Sequence, residues 1–171
     1  GCCAAAITQG VQKNGVGVTV KHFAGNNQET QRTNSNDIVT QRALREIYLK
    51  GFEIAVKESQ PYAIMTSYND INGMPSTANK WLFTEVLRNQ WGFDGFVVTD
   101  WENFRSTVNG QKLFESMDDA CVAGVVAGND MSMQVEKFYD ALLAAVKNGK
   151  ISEEKRKIIL EAANKYGFTP N

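Results

Sequence analysis

Apolar positions along this chain follow two alternating patterns. Stretches with a 3.6-residue period predict helices, and short apolar runs bounded by glycine and polar residues predict strands. Residues 2–14 read as a helix stopped at Asn14-Gly15. Residues 16–23 read as a Val-rich strand, followed by a polar loop over 24–36. A helix is predicted over about 37–59, with Leu44, Ile47, Tyr48, Phe52 and Ala55 on one stripe and Pro61 beyond its end. Residues 63–68 form the next predicted strand and 69–76 a loop with Gly73 and Pro75. A helix over 79–91 turns Leu82, Phe83, Val86 and Leu87 inward, and residues 95–100 return as a strand. Leu113, Met117, Ala120, Cys121 and Gly124 have helical spacing, and Val125 to Asp130 reads as a short strand. Val135, Phe138, Tyr139, Leu142, Leu143 and Val146 make a helical stripe stopped by Asn148-Gly149, and Ser152 caps a last helix.

This alternation implies an α/β fold with about four parallel strands, flanking helices and right-handed crossovers. In such a sheet all strand ends of one kind lie on one side, where ligands bind. The ends here carry Lys21-His22, Tyr68-Asn69, Asp100-Trp101 and Asn129-Asp130, and the first loop adds Asn26, Asn27, Glu29 and Arg32. Asp100 closes the apolar run Gly95-Phe96-Val97-Val98-Thr99, and Trp101 offers beside it a flat apolar face suited to a sugar ring. Cations near a carboxylate favour its ionised form, as a nucleophile in glycoside hydrolysis requires. A bland reading accompanies each residue: Asp100 as a helix cap, Lys21 snorkelling, His22 as a satisfied core imidazole, Tyr68 as a packed aromatic.

Composition narrows the classes. With 171 residues the chain suits one domain, and 43% hydrophobic with 22% charged residues is an ordinary globular mix. A formal charge of -1 gives no footprint for nucleic acid or an anionic membrane surface. No apolar run approaches the roughly 18 residues of a membrane span. Cys2 and Cys3 are adjacent, Cys121 sits in a helical pattern, and three Cys with one His show no metal-ligand spacing, so no zinc site is expected. Gly1-Cys2-Cys3-Ala4 has no basic leader region and no initiator Met, so the start reads as a cut.

Four segments together resemble glycoside hydrolase family 3, in its β-glucosidase-type members. They are Lys21-His22-Phe23-Ala24-Gly25-Asn26-Asn27-Gln28-Glu29, Arg42 to Leu49, Met65-Thr66-Ser67-Tyr68-Asn69 with Asn72-Gly73, and Trp91 to Trp101. The resemblance runs to about residue 150. It implies a (β/α)8 TIM-type barrel, of which residues 1–171 would be the C-terminal half, and a retaining site acting on β-glucosides or oligosaccharides with no metal and no cofactor. It makes Asp100 the nucleophile, Lys21, His22 and Arg32 ligands of the glycone, Tyr68 the neighbour of the nucleophile, and Trp101 the aromatic against the sugar. The loop after Lys21-His22 lacks the His of the family's N-acetylhexosaminidase branch, and Gln134 stands where a Pro is usual. The family's acid/base glutamate lies in a second domain, so partners are expected to be the missing half-barrel and that domain. Glu102 could share a strand face with Asp100 but would approach the sugar from the same side; Glu29 and Glu136 read as structural or solvated.

Two rivals stand beside this reading. One is a non-catalytic half-barrel that binds sugar weakly or assembles with its missing half, its open sheet edges favouring self-association. The other is an aldolase-like enzyme with Lys21 as Schiff base.

Overall fold

The computed structural model describes residues 1–135, 138–151 and 157. Helix α1 (Cys2–Gln12) leads into strand β1 (Thr19–Phe23). Strand β2 (Asn36–Asp37) precedes one helical passage made of α2 (Gln41–Ala43), a π-helical stretch Leu44–Tyr48, and α3 (Lys50–Ser59). Strand β3 (Ala63–Thr66) is followed by the small hairpin β4 (Asp70–Ile71) and β5 (Met74–Pro75), then a second π-helical segment, Trp81–Gln90. Strand β6 (Phe96–Val98) is succeeded by helices α4 (Asn103–Asn109), α5 (Met117–Ala127) and α6 (Phe138–Lys147).

Strands β1, β3 and β6 pair in that order, all parallel, with Val20 opposite Ile64 and Ile64 opposite Val97. These three residues share one apolar cluster with Leu49, which joins the π-helical stretch to α3, with Val56 from α3, and with Leu82, Val86 and Leu87 from the segment after β5. Each fully buried aliphatic side chain of this kind contributes about 1.5–3 kcal/mol. Phe23 is fully buried in the same cluster, its ring 5.0 Å from Phe52 and 5.8 Å from both Phe83 and Trp91. A regular strand would put residues three apart on opposite faces. The register shifts between Val20 and Phe23, and this bulge lets both face the core. A second sheet, β2-β4-β5, sits beside the first. Helices α4, α5 and α6 close over a second cluster that includes Phe104, Cys121, Phe138 and Leu142. No helix among the described residues is long and apolar enough to cross a membrane.

Four expectations need correction. Val125 to Ala127 are the last turn of α5, not a strand; Gly128, at φ 125°, ends the helix, and only a single parallel bridge, Val98 to Met131, continues the sheet. Among the described residues the main sheet thus holds three parallel strands and a bridge rather than four strands. The helix expected from residue 37 begins after Thr40, whose side chain accepts the Ala43 N–H, because Asp37 is already in β2. Ile47, placed on the inner stripe, is 69% exposed: the π turn, closed by Leu49 N–H to Leu44 O at 2.8 Å, advances the phase so that Leu49 is buried instead. Leu113 precedes α5 and is exposed, as are Tyr139 and Leu143, whose places in the second cluster go to Ala141 and Ala145. The helix expected after Ser152 lies outside the described residues.

Gly124 lies where α5 crosses α4, and a Cβ there would run into the Phe104 ring, which is stacked on Phe138 with centroids 5.8 Å apart. Helix propensity favours alanine by about 1 kcal/mol. Overpacking costs about 1–3 kcal/mol and outweighs it. Gly124→Ala should therefore lower Tm in a thermal melt; an unchanged or higher Tm would show that the ring can move aside.

Candidate active site

The parallel register carries the C-terminal ends of β1, β3 and β6 to one edge of the sheet. With Phe23 turned into the core, His22 faces the end of β6, where its Nε2 lies 3.2 Å from Asp100 Oδ2. The Asp100 carboxylate is tied to its own turn, its Oδ1 accepting the Trp101 N–H at 2.7 Å. Its Oδ2 is buried and accepts no hydrogen bond among the described residues. Asp100 does not cap α4: that helix starts after Glu102, at φ 50°, with no side-chain cap. The Asp100 N–H donates to Thr66 Oγ1 at 3.2 Å, so the end of β6 hangs on the end of β3.

The resemblance makes Tyr68 the neighbour of the nucleophile, and it lies beside the turn that carries Asp100. Its OH donates to the Trp101 carbonyl at 2.7 Å, holding that turn. Burial first, and then the nearby Asp100 charge, push the Tyr68 pKa up to about 12, so the phenol stays a donor. Arg32 comes to the site over the Tyr68 ring, its guanidinium carbon 5.2 Å from the centroid and its Nε 3.6 Å from Glu29. Lys21 is exposed beside His22, and Trp101 is 53% exposed, presenting a free aromatic surface. Burial lowers the His22 pKa below its usual 6.5; Asp100 opposes this, and Lys21 and Arg32 reinforce it. The imidazole is therefore neutral at pH 7.

Other expected members serve elsewhere. Asn129 is buried and donates to Thr77 O and Gly124 O, and Asp130 pairs with Arg88 at 2.6 Å while accepting the Val97 N–H at 2.7 Å. This corner after α5 is structural. Glu102 pairs with Arg105 at 3.1 Å. Glu136 lies outside the described residues. No group of three metal-ligating side chains is present among the described residues.

The structure gives Asn69 a supporting role and adds supporting residues that sequence reasoning did not single out. Asn69 Nδ2 donates to Asp37 at 2.8 Å and to Ala24 O at 3.1 Å, joining β2 to the loop after His22. Gln111 Nε2 donates to Tyr68 O and to Asp70, both at 2.8 Å. Thr66 and Asn103 meet beneath Asp100. Its place at a strand end beside Tyr68 marked Asn69 as a candidate; Thr66 and Asn103 had no such mark, and Gln111 had no signal, because its partners are 41 and 43 residues away.

The model of the glycosyl hydrolase family 3 N-terminal domain matches residues 2–162. The chain belongs to this family. It is 45% identical over 157 residues to beta-glucosidase B of Emericella nidulans, covering 90% of this chain and 17% of that protein. It is 44% identical over 149 residues to an exo-alpha-(1->6)-L-arabinopyranosidase of Bifidobacterium longum, covering 87% of this chain and 18% of that protein. Among solved structures, a family 3 beta-glucosidase of Bifidobacterium adolescentis superposes with a TM-score of 0.80 at 39% identity, over 94% of this chain and 22% of that one. Beta-glucosidase 3B of Thermotoga neapolitana, in complex with glucose, gives 0.78 at 38%, over 93% and 22%. The family 3 chain thus spans less than a fifth of the length of these two sequence relatives, and its α/β fold with a parallel sheet is similar to that of the two solved structures.

Asp70 gives a pH signature to the network behind the site. Burial, and then the Asp37 charge, raise its pKa from 3.8 to about 6. A carboxyl raised in the folded state contributes stability that is complete below its unfolded pKa and lost as pH rises through the folded one. Asp70→Asn should therefore melt above wild type at pH 7, with the difference closing by about pH 4. Equal melting temperatures across this range would show that Asp70 is not held protonated.

Proposed function

We propose that this chain supplies the nucleophile side of a retaining β-glucosidase and forms the later part of a (β/α)8 catalytic barrel in a larger enzyme. The observation that carries the reading is Asp100: a strand-end carboxylate with one oxygen held by the Trp101 N–H and the other turned to His22, in a family 3 chain. Asp100 attacks the anomeric carbon of a β-glucoside, the bond to the aglycone oxygen breaks, and that oxygen takes a proton from the acid. A glycosyl-aspartate ester results. Water, deprotonated by the same acid/base group, then displaces Asp100 from the opposite face, and two inversions give net retention. Lys21, His22 and Arg32 bind glycone hydroxyls, Trp101 packs on the sugar face, and Tyr68 fixes the turn. Glu102, the acid nearest in sequence, is engaged with Arg105, so the acid/base is assigned to another part of the enzyme. No metal or cofactor enters this scheme. The glycone is assigned as glucose because beta-glucosidase is the name of most of the relatives, and an aryl α-L-arabinopyranoside is the control substrate that the Bifidobacterium longum relative calls for.

In the catalytically active enzyme containing this chain, Asp100→Gly should lower kcat on an aryl β-glucoside by on the order of 10⁴ or more. Azide, small enough to enter where the carboxylate stood, should restore turnover and yield the α-glucosyl azide. Retained kcat, or a β-azide product, would remove Asp100 from the nucleophile's role. Lys21→Ala and Arg32→Ala should each cost about 10- to 100-fold in kcat/KM, the worth of a charged hydrogen bond. A wild-type kcat/KM in either variant would make that residue structural.

A further inference from the structure

We propose that Thr66 and Asn103 are positioning residues that fix the direction of the Asp100 carboxylate by pinning the turn 100–103 to the end of β3. Its purpose rests on the reading of Asp100 as nucleophile; its geometry does not. Thr66 is fully buried, and its Oγ1 accepts two hydrogen bonds, from Asp100 N–H at 3.2 Å and from Asn103 Nδ2 at 2.8 Å. The other amide proton of Asn103 goes to Ser67 O at 3.0 Å. One side chain at the start of α4 thus grips two consecutive residues of β3's end, and one of these grips the nucleophile's backbone.

Asn103 has no exposed surface, and its Oδ1 is buried with no hydrogen-bond partner among the described residues. A buried polar atom without a partner costs about 1–3 kcal/mol. An apolar side chain would fill the same place without that cost, so the amide is there for what it donates to. The turn it closes needs such a hold. Glu102 sits at φ 50° and ψ 27°, a left-handed conformation that disfavours any residue with a Cβ. Further bonds brace the same turn: Asn103 N–H to Asp100 O, Glu102 N–H to Met133 O, and the Tyr68 hydroxyl to Trp101 O. Because Asp100 Oδ1 is bound to the next amide of this turn, the carboxylate plane follows the backbone. Whatever orients the backbone of Asp100 and Trp101 therefore sets where Oδ2 points, which is toward His22.

His22 is the single histidine of these 171 residues, and in the active enzyme containing this chain its imidazole resonances, assigned by their absence from His22→Gln, report on Asp100 by NMR. The other charges acting on it, Lys21, Arg32 and Glu29, stay in place in every variant. Asp100→Asn should lower the His22 pKa, since the carboxylate favours the imidazolium. Thr66→Val, equal in shape but without the hydroxyl, should reproduce at least about half of that fall, and so should Asn103→Ala. Thr66→Ser, which keeps the hydroxyl, should titrate as wild type; the two Thr66 variants decide the matter if Asn103→Ala does not fold. The proposal is overturned if Thr66→Val leaves His22 unchanged, if Thr66→Ser shifts it as much as Thr66→Val, or if Asp100→Asn does not move it. Failure of the nucleophile reading would appear instead in the azide product, with the His22 titrations unaffected.

Discussion

Everything at the candidate site depends on the parallel pairing of three short strands. Val20, Ile64 and Val97 lie opposite one another across β1, β3 and β6 and bury together against the helices. Parallel pairing leaves no choice about ends: if one C-terminus opens to a crevice, all do. The sheet thereby turns residues distant in sequence, His22, Thr66, Tyr68 and Asp100, into neighbours, and the hydrophobic energy that holds the register also holds the chemistry in place.

The second constraint is local. The bulge between Val20 and Phe23 lets Phe23 anchor the strand end among Phe52, Phe83 and Trp91 while His22 meets Asp100. A rigid aromatic core on one side and a polar contact on the other are thus one feature seen from two faces. The same economy recurs at β3, where Ile64 packs in the core and Thr66, two residues on, is a buried hydrogen-bond hub. The site's electrostatics follow from its depth: burial lowers the His22 pKa and raises that of Tyr68, so the imidazole faces Asp100 uncharged and the phenol stays a donor to the Trp101 carbonyl.

Much of this was legible in the sequence because it depends on periodicity and on residue types at strand ends. Leu82, Phe83, Val86 and Leu87 are all fully buried, as their spacing implied, and His22 and Asp100 meet as their strand-end placement implied. What escaped was whatever breaks period. The π turn at Leu44–Tyr48 exposes Ile47; Gly128 ends a helix where valines suggested a strand; and a regular β1 would have put His22 on the side of Val20. The buried polar clasps escaped for a different reason. A hydrogen bond from Asn103 to Thr66, or from Asn69 to Asp37, joins residues more than 30 positions apart and leaves no mark on either local pattern.

The central claim is that the carboxylate at the end of β6 forms the covalent bond to sugar. The most direct measurement is to inactivate the active enzyme with a 2-deoxy-2-fluoro β-glucoside bearing a good leaving group, then locate the adduct by peptide mass spectrometry. The fluorine slows hydrolysis of the glycosyl-enzyme and lets it accumulate. The account predicts one fluoroglucosyl group on Asp100. An adduct on Glu102 or Asp130, or inactivation without any adduct in this chain, would contradict it.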